Sequence, residues 1–145
     1  MFVYKIEKKN IFPIRILIPF YIYKFRYIFL KKFNIYFDVN IDYKEDEIEI
    51  SFVDYSYSGL DWMPQFTFKI YKKTNSIYLS AIKLPYSIQK TGIGTFCVDW
   101  LKNFAKTFSF DCIFLGSYPC AYGFWSKMNF EKVPYQDQIL YFSCN

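Results

Sequence analysis

The middle of the chain alternates apolar and polar residues in a way that predicts two β-hairpins. Between residues 35 and 52, apolar residues fall at every second position on either side of a polar turn, Lys44-Glu45-Asp46. A period of two places successive side chains on opposite faces of a strand. The same pattern predicts a second hairpin, with strands at 66–70 and 77–84. Its return strand, IYLSAIKL, is apolar on nearly both faces, as expected of a central strand.

The pattern changes after Pro85, which ends the strand because proline has no N–H to donate to a neighbouring strand. A helix with one broad buried face is then predicted from Ile93, Phe96, Cys97, Trp100, Leu101 and Phe104. A short strand at 111–116, a second helix at 119–129 and a last strand at 139–142 follow. We therefore predict one domain, residues 1–145, of the α/β (α+β) class, with a mixed, mostly antiparallel sheet flanked by helices.

The apolar segment at residues 11–30 has the length of a membrane span. It is interrupted, however, by three basic residues and two prolines: Arg15, Lys24, Arg26, Pro13 and Pro19. A charge near the centre of a bilayer is costly. The segment therefore predicts a strand, a break at the prolines and a buried or amphipathic helix, with no integral membrane segment. Peripheral membrane contact is an alternative.

Composition narrows the chemistry that is available. The 145 residues contain no histidine, which excludes Ser-His-Asp and Cys-His catalysis and zinc sites that need imidazole. No two of the four cysteines are separated by two residues, as in the Cys-x-x-Cys pairs of zinc ribbons, and no metal is predicted. No signal peptide is recognisable, so reduced thiols and a cytoplasmic location are expected.

Charge is segregated along the chain. Residues 1–34 hold eight Lys and Arg against Glu7 alone, a balance of +7, and residues 35–64 hold eight Asp and Glu against Lys44, a balance of −7. The basic opening could favour an anionic membrane or nucleic acid. A solvated basic face beside an acidic hairpin is the preferred interpretation, and a nucleic-acid partner is not expected.

A stretch with two glycines, SIQKTGIGTF, separates the predicted central strand from the following helix. A helix that begins at such a loop offers unpaired N–H groups and the positive end of its dipole, which suit a phosphate. A tight turn alone is the alternative. No Lys-Ser or Lys-Thr follows Gly94, as a Walker loop requires, and Cys97 stands where a dinucleotide fingerprint has its third glycine.

Two segments resemble the GCN5-related N-acetyltransferase (GNAT) superfamily. Residues 89–94, QKTGIG, match its [QR]xxGx[GA] motif, and residues 121–133, AYGFWSKMNFEKV, are similar to its fourth-helix segment. The resemblance extends from about 77 to 133, and residues 1–76 resemble the family only in element order. It implies a GNAT-like acyl-CoA N-acyltransferase fold, with acetyl-CoA as co-substrate.

The resemblance also implies where coenzyme A would bind. Amides of the glycine loop would hold its pyrophosphate. The fourth predicted strand, where it splays from the fifth, would pair with the pantetheine arm. The residues implied in these roles are Ile82, Lys83, Leu84, Gln89, Lys90, Thr91, Gly92, Ile93, Gly94 and Thr95.

The catalytic groups depart from the family pattern. Trp125 occupies the position of the usual tyrosine acid, so Tyr122 and Tyr118 are the candidate acids, with aromatic packing or CoA contact as their alternative roles. The fourth predicted strand lacks the usual carboxylate base. Asp54 and Asp61 are candidates for the amine-binding side, and the alternative is that both are solvated loop acids.

The resemblance implies transfer of an acetyl group to a primary amine by direct attack in a ternary complex. The acidic, aromatic stretch at 52–64 favours a small cationic amine or a protein lysine as acceptor. The rival interpretation is a non-catalytic GNAT-like module that binds a protein or nucleic acid through residues 1–34. Either could be a monomer or a homodimer.

Overall fold

A computed structural model of the chain describes residues 2–89 and 91–145, with side chains from residue 17 onward. It contains three α-helices: α1 (Phe2–Phe33), α2 (Ile93–Thr107) and α3 (Tyr122–Lys127). The seven strands are β1 (Asp38–Tyr43), β2 (Glu47–Val53), β3 (Gln65–Tyr71), β4 (Ser76–Lys83), β5 (Cys112–Gly116), β6 (Glu131–Lys132) and β7 (Ile139–Ser143). Single 3₁₀ turns at Tyr86–Ile88 and Pro119–Ala121 precede α2 and α3.

The strands form one sheet in the order β1-β2-β3-β4-β5-β7-β6. Every neighbouring pair is antiparallel except β4 and β5, which are parallel. The two predicted hairpins are β1–β2 and β3–β4. The prediction of a mixed, mostly antiparallel sheet flanked by helices is confirmed. The edge strand β6, only two residues long, was not indicated by the sequence pattern.

The core lies between the helices and one face of the sheet. Phe52, Phe66 and Phe68 project from β2 and β3 towards α1 and α2. The ring of Phe25 in α1 lies 4.9 Å from that of Phe52, and Trp100 in α2 lies 6.0 Å from Phe68. Each aromatic side chain buried in this way contributes about 1.5–3 kcal/mol. The helical stripe predicted for α2 thus forms one side of the core.

The N-terminal segment differs from the prediction. Instead of a strand and a proline break, one helix runs through Pro13 and Pro19. Its inner face carries four side chains that are at most 1% exposed: Ile18, Ile22, Phe25 and Phe29. An interior proline costs a helix about 3 kcal/mol, and the burial of this stripe offsets that cost at Pro19. None of the helices in the described part of the chain is both long enough and apolar enough to cross a bilayer.

Strand β4 pairs with β5 over only part of its length. Residues 76–78 pair with residues 112–114 of β5, and no further β4–β5 pair forms among the described residues. On its other side β4 pairs with β3, but the register shifts at Ser80, which is left between Leu79 and Ala81 without a β3 partner. Such a bulge bends a strand and increases its twist. The second half of β4 therefore diverges from β5.

Candidate functional site

A cavity of about 950 Å³ opens where β4 and β5 diverge. Residues 79–84 of β4 and the following loop form one side, and residues 115–118 form the other. Trp62 stands at its edge. The remaining lining residues come from the two helix N-termini and the turns before them: Gln89, Gly92, Gly94, Thr95, Cys120, Ala121, Phe124 and Trp125. The two segments that resemble the GNAT motifs thus meet at one cavity.

The N-terminus of α2 is built by Gly92. This residue caps the helix with φ +86°, a left-handed conformation that side chains other than glycine rarely adopt. Its carbonyl oxygen accepts the first helical hydrogen bond from the N–H of Phe96, at 2.9 Å. The N–H groups of the intervening residues lie in the first turn, where the helix itself supplies no acceptor. Since Gly92, Gly94 and Thr95 line the cavity, this positive helix end borders it.

Gly94 has a different reason to be glycine. A Cβ atom there would lie 3.6 Å from Cζ of Phe124 and 4.0 Å from Cδ1 of Leu84, both ordinary contact distances. The fold would therefore accept a methyl group at this position. What glycine preserves is the open space between α2, α3 and the end of β4, which is the space a ligand would need.

Strand β4 presents a free backbone edge to the cavity. Ile82 and Lys83 pair with Phe66 and Gln65 of β3, whereas the opposite edge of β4 has lost β5 as a partner. The side-chain Nε2 of Gln89 donates to the carbonyl oxygen of Leu84 at 2.9 Å and so fixes the end of this edge. An extended chain could therefore bind there as an added strand.

The structure brings together most of the residues implied for coenzyme A. Seven of them line the cavity: Ile82, Lys83, Leu84, Gln89, Gly92, Gly94 and Thr95. Thr91 and Ile93 are not among the lining residues. The Thr91 hydroxyl donates to the carbonyl oxygen of Ile88 at 2.5 Å and the Ile93 side chain is buried in the core, whereas the role implied for both residues is through their backbone N–H groups. Lys90 lies outside the described residues. Their roles as coenzyme A ligands stay predictions.

The candidate acids lie on different sides of α3. Tyr118 precedes the helix, is 76% exposed and lines the cavity, as does Trp125. Tyr122 instead lines a separate hollow of about 430 Å³, where Lys132 Nζ lies 4.7 Å from the centre of its ring. Only Tyr118 is therefore placed to reach a ligand in the main cavity.

Both candidate acceptor-side carboxylates accept hydrogen bonds from the protein itself, Asp54 within its own loop and Asp61 from two loops. Asp54 accepts hydrogen bonds from the backbone N–H of Ser56, at 3.0 Å, and from its hydroxyl. Asp61 accepts from the Tyr57 hydroxyl and, at 2.7 Å, from the N–H of Tyr86. These bonds, Tyr57 first, lower the pKa of Asp61, and the carboxylate in turn raises the pKa of Tyr57. Neither aspartate lines the cavity, and their proposed contact with an amine stays a prediction.

Trp62 is a site residue that the sequence analysis missed. It is 56% exposed, lines the cavity, and its ring lies 6.1 Å from that of Tyr86. Asp61 positions this pair, because its carboxylate connects the loop before β3 to the loop after β4. The signal for this residue in the sequence is a large aromatic side chain within an otherwise polar, acidic loop. Among the described residues, no group of three His, Cys, Asp or Glu side chains could hold a metal.

Comparison of sequences finds no family model that matches this chain and no curated protein similar to it. Comparison of structures does find proteins of similar fold. Tetrahymena GCN5 superposes with a TM-score of 0.53 at 14% identity, covering 67% of this chain and 69% of that one. A GNAT-family acetyltransferase of Staphylococcus aureus Mu50 gives 0.52 at 15% identity over 69% of each chain. Nourseothricin acetyltransferase gives 0.52 at 10% identity, covering 69% of this chain and 66% of that one.

These neighbours share an architecture with this chain rather than a recognisable sequence. At sequence identities of 10–15%, this structural similarity establishes a shared fold and does not extend to the acceptor or the activity. The glycine loop at the start of α2 and the divergence of β4 from β5 lie where the resemblance of residues 77–133 placed them. The chain therefore has the fold of the GCN5-related N-acetyltransferases, as its two motifs predicted.

Proposed function

We propose that this chain transfers an acetyl group from acetyl-CoA to a primary amine. The observation that carries the proposal is that the free edge of β4 and the N-terminus of α2 border the same cavity. An extended pantetheine arm needs backbone donors and acceptors along its length, which β4 offers. A pyrophosphate needs clustered N–H groups, which the first turn of α2 offers. The cavity volume, about 950 Å³, lies within the range of small-molecule sites.

The reaction places few demands on protein side chains. The amine nitrogen attacks the thioester carbonyl carbon, the C–S bond breaks, and the departing sulfur takes up a proton while the new amide nitrogen loses one. A thiol with a pKa of about 8.5 is an adequate leaving group near neutral pH. Alignment of the two reactants in a ternary complex is therefore the main contribution of the fold. Tyr118 is the proposed donor to the sulfur.

The acceptor is proposed to be a small cationic amine or a protein lysine. It would enter past Trp62, which lines the cavity, and Tyr86, whose ring lies 6.1 Å from that of Trp62. An aromatic edge of this kind attracts an ammonium group before it loses its proton. Asp61 supports the proposal indirectly, by fixing the position of this edge.

Calorimetry with coenzyme A tests the binding half of the proposal. Gly94→Glu should weaken binding at least about tenfold, because a carboxylate beside the pyrophosphate places like charges in contact. Gly123→Glu is the matched control: Gly123 is exposed, does not line the cavity, and a Cβ atom there meets nothing within 4 Å. Absence of wild-type binding at millimolar coenzyme A would overturn the proposal.

Thiol release with a panel of amines tests the catalytic half. The panel should include a polyamine, an aminoglycoside and a lysine-containing peptide. The rival, a non-catalytic module, is favoured by Trp125, which lines the cavity in place of the family tyrosine. Coenzyme A binding without thiol release from any amine in the panel would support that rival.

A further inference from the structure

Helix α1 is apolar on its outer face as well as its inner face. Opposite the buried stripe, Phe20 is 62% exposed and Tyr27 is 61% exposed. Leu17, Tyr23 and Ile28 flank them and are each 40% exposed or more. These positions follow helical spacing and form one continuous surface, which we call the outer stripe. Exposed apolar side chains gathered on one helix face indicate a contact surface.

Lysines are interleaved with the aromatic rings of the outer stripe. Lys24 and Lys31 occupy the same face, giving the order Phe20, Lys24, Tyr27, Lys31 at intervals of four, three and four residues. Nζ of Lys31 lies 5.5 Å from the centre of the Tyr27 ring. Residues 17–33 contain no Asp or Glu, so no acidic group of this segment offsets the charge of Lys24 and Lys31. The partner of this surface is therefore negatively charged and accepts apolar side chains.

Three kinds of partner could accept apolar side chains: a second copy of the chain, a single-stranded nucleic acid and a lipid bilayer. The first two fit this surface poorly. A second copy that docked through its own outer stripe would bring its lysines against those of the first, which is unfavourable. A single-stranded nucleic acid would stack on the aromatic rings but gain little from Leu17 and Ile28. A bilayer with anionic headgroups accepts all three kinds of side chain: aliphatic groups enter the acyl boundary, tyrosines lie at headgroup depth, and lysines extend to phosphate.

We propose that the outer stripe of α1 docks this protein on anionic lipid bilayers. The helix would lie in the plane of the interface, with its inner face still packed on the sheet through Phe25 and Phe29. This mode needs no opening of the core, because both faces of α1 are already formed. It is independent of the proposed acetyl transfer.

Co-sedimentation of the full chain with lipid vesicles tests the proposal. We expect binding to equimolar phosphatidylcholine and phosphatidylglycerol vesicles at low salt, and much weaker binding to phosphatidylcholine alone. High salt should release most of the bound protein. Lys24→Gln with Lys31→Gln should lower the partition coefficient roughly tenfold or more, as expected for two cations near an anionic surface. Phe20→Ser with Tyr27→Ser should lower it by a similar factor.

The matched controls change the same residue types elsewhere. Tyr135→Ser and Lys127→Gln alter exposed side chains outside α1 and should leave vesicle binding unchanged. Circular dichroism establishes that each variant is folded.

Three results would overturn the proposal. They are failure of the wild type to bind the anionic vesicles, equal vesicle binding by all variants, and a dimer that dissociates on Phe20→Ser with Tyr27→Ser while vesicle binding is absent. Oligonucleotide binding that depends on the same residues, without vesicle binding, would assign the surface to nucleic acid instead.

Discussion

Gly92 and Gly94 stand two positions apart but meet different physical requirements. Gly92 has a positive φ of 86°, which few other residues tolerate. Gly94 has room for a methyl group and keeps a cavity open instead. One glycine is therefore required by the backbone, and the other by the proposed ligand. The two can be separated, because Gly94→Ala should fold normally while Gly92→Ala carries about 1–2 kcal/mol of backbone strain.

The two candidate acids should behave differently when each loses its hydroxyl group. Tyr118→Phe should lower turnover by roughly a hundredfold and leave coenzyme A affinity unchanged, because only Tyr118 borders the cavity. Tyr122→Phe should keep the wild-type rate, because Tyr122 lines the hollow beside Lys132. Steady-state thiol release with an accepted amine measures both. If Tyr118→Phe keeps the full rate, solvent protonates the sulfur.

Asp61 should make the stability of the protein depend on pH in the acid range. Its native pKa is lowered, first by the Tyr57 hydroxyl and then by the N–H of Tyr86. The ionised form therefore favours folding above the unfolded pKa of about 3.9, and this contribution is lost as pH falls through the native pKa. Asp61→Asn should thus be less stable than wild type near neutral pH, with a difference that shrinks as pH falls below the unfolded pKa of about 3.9.

Urea unfolding across the acid range measures this difference. Tyr57→Phe serves as the companion variant: it removes the main donor and should reduce the same pH dependence while keeping the carboxylate. A stability difference between Asp61→Asn and wild type that stays constant over the whole range would contradict the assignment.

The cavity-facing glycines could be predicted from the sequence, but the orientation of the tyrosines could not. The glycine loop is a contiguous motif between two strongly patterned elements, so its place in the fold follows from local order. Tyr118 and Tyr122 depend on where α3 begins. The sequence predicted a helix from residue 119, whereas a 3₁₀ turn occupies Pro119–Ala121 and α3 starts at Tyr122. Three residues per turn instead of 3.6 rotate the two tyrosines apart.

At the scale of elements, the free edge of β4 should respond to coenzyme A. Backbone amides at 79–84 have no β5 partner and should exchange with solvent faster than those at 76–78. Pairing with the pantetheine arm should slow exchange within 79–84. Hydrogen–deuterium exchange with mass spectrometry measures this protection, and the β1–β2 hairpin provides the internal control. Equal protection of both regions, or of neither, would contradict strand-like pairing.

Helix α1 shows why element type is harder to predict than hairpin register. The first hairpin follows from a strict period of two, and the structure turns at residues 44–46, as predicted. The second turn, at 72–75, lies between the strands predicted at 66–70 and 77–84. In α1 the prolines argued for a break, and the compensating burial of Ile18, Ile22 and Phe25 arises from contacts with elements distant in sequence, as when Phe25 packs on β2 and α2. Tertiary packing overrides local preference there.

At the scale of the whole molecule, residues 1–145 are predicted to unfold as one cooperative unit. The buried cluster is continuous, with members from Ile18 in α1 to Leu140 in β7. Thermal unfolding followed by tryptophan fluorescence and by far-ultraviolet circular dichroism should therefore give coincident transitions. Coenzyme A at a hundred times its dissociation constant should add about 2.7 kcal/mol of stability. Two separate transitions would contradict a single domain.

The short contact between β4 and β5 also has a consequence for how the chain reaches its native state. Strands β1 to β4 form a meander whose pairs are close in sequence, so they can assemble early and quickly. The parallel pair can form only after the chain has crossed over through α2. Its three residue pairs offset little of the conformational entropy that is lost when this connection closes. We therefore expect β5 and β7 to attach late in folding, so that the gap between β4 and β5 that would admit a ligand is also the last part of the sheet to form.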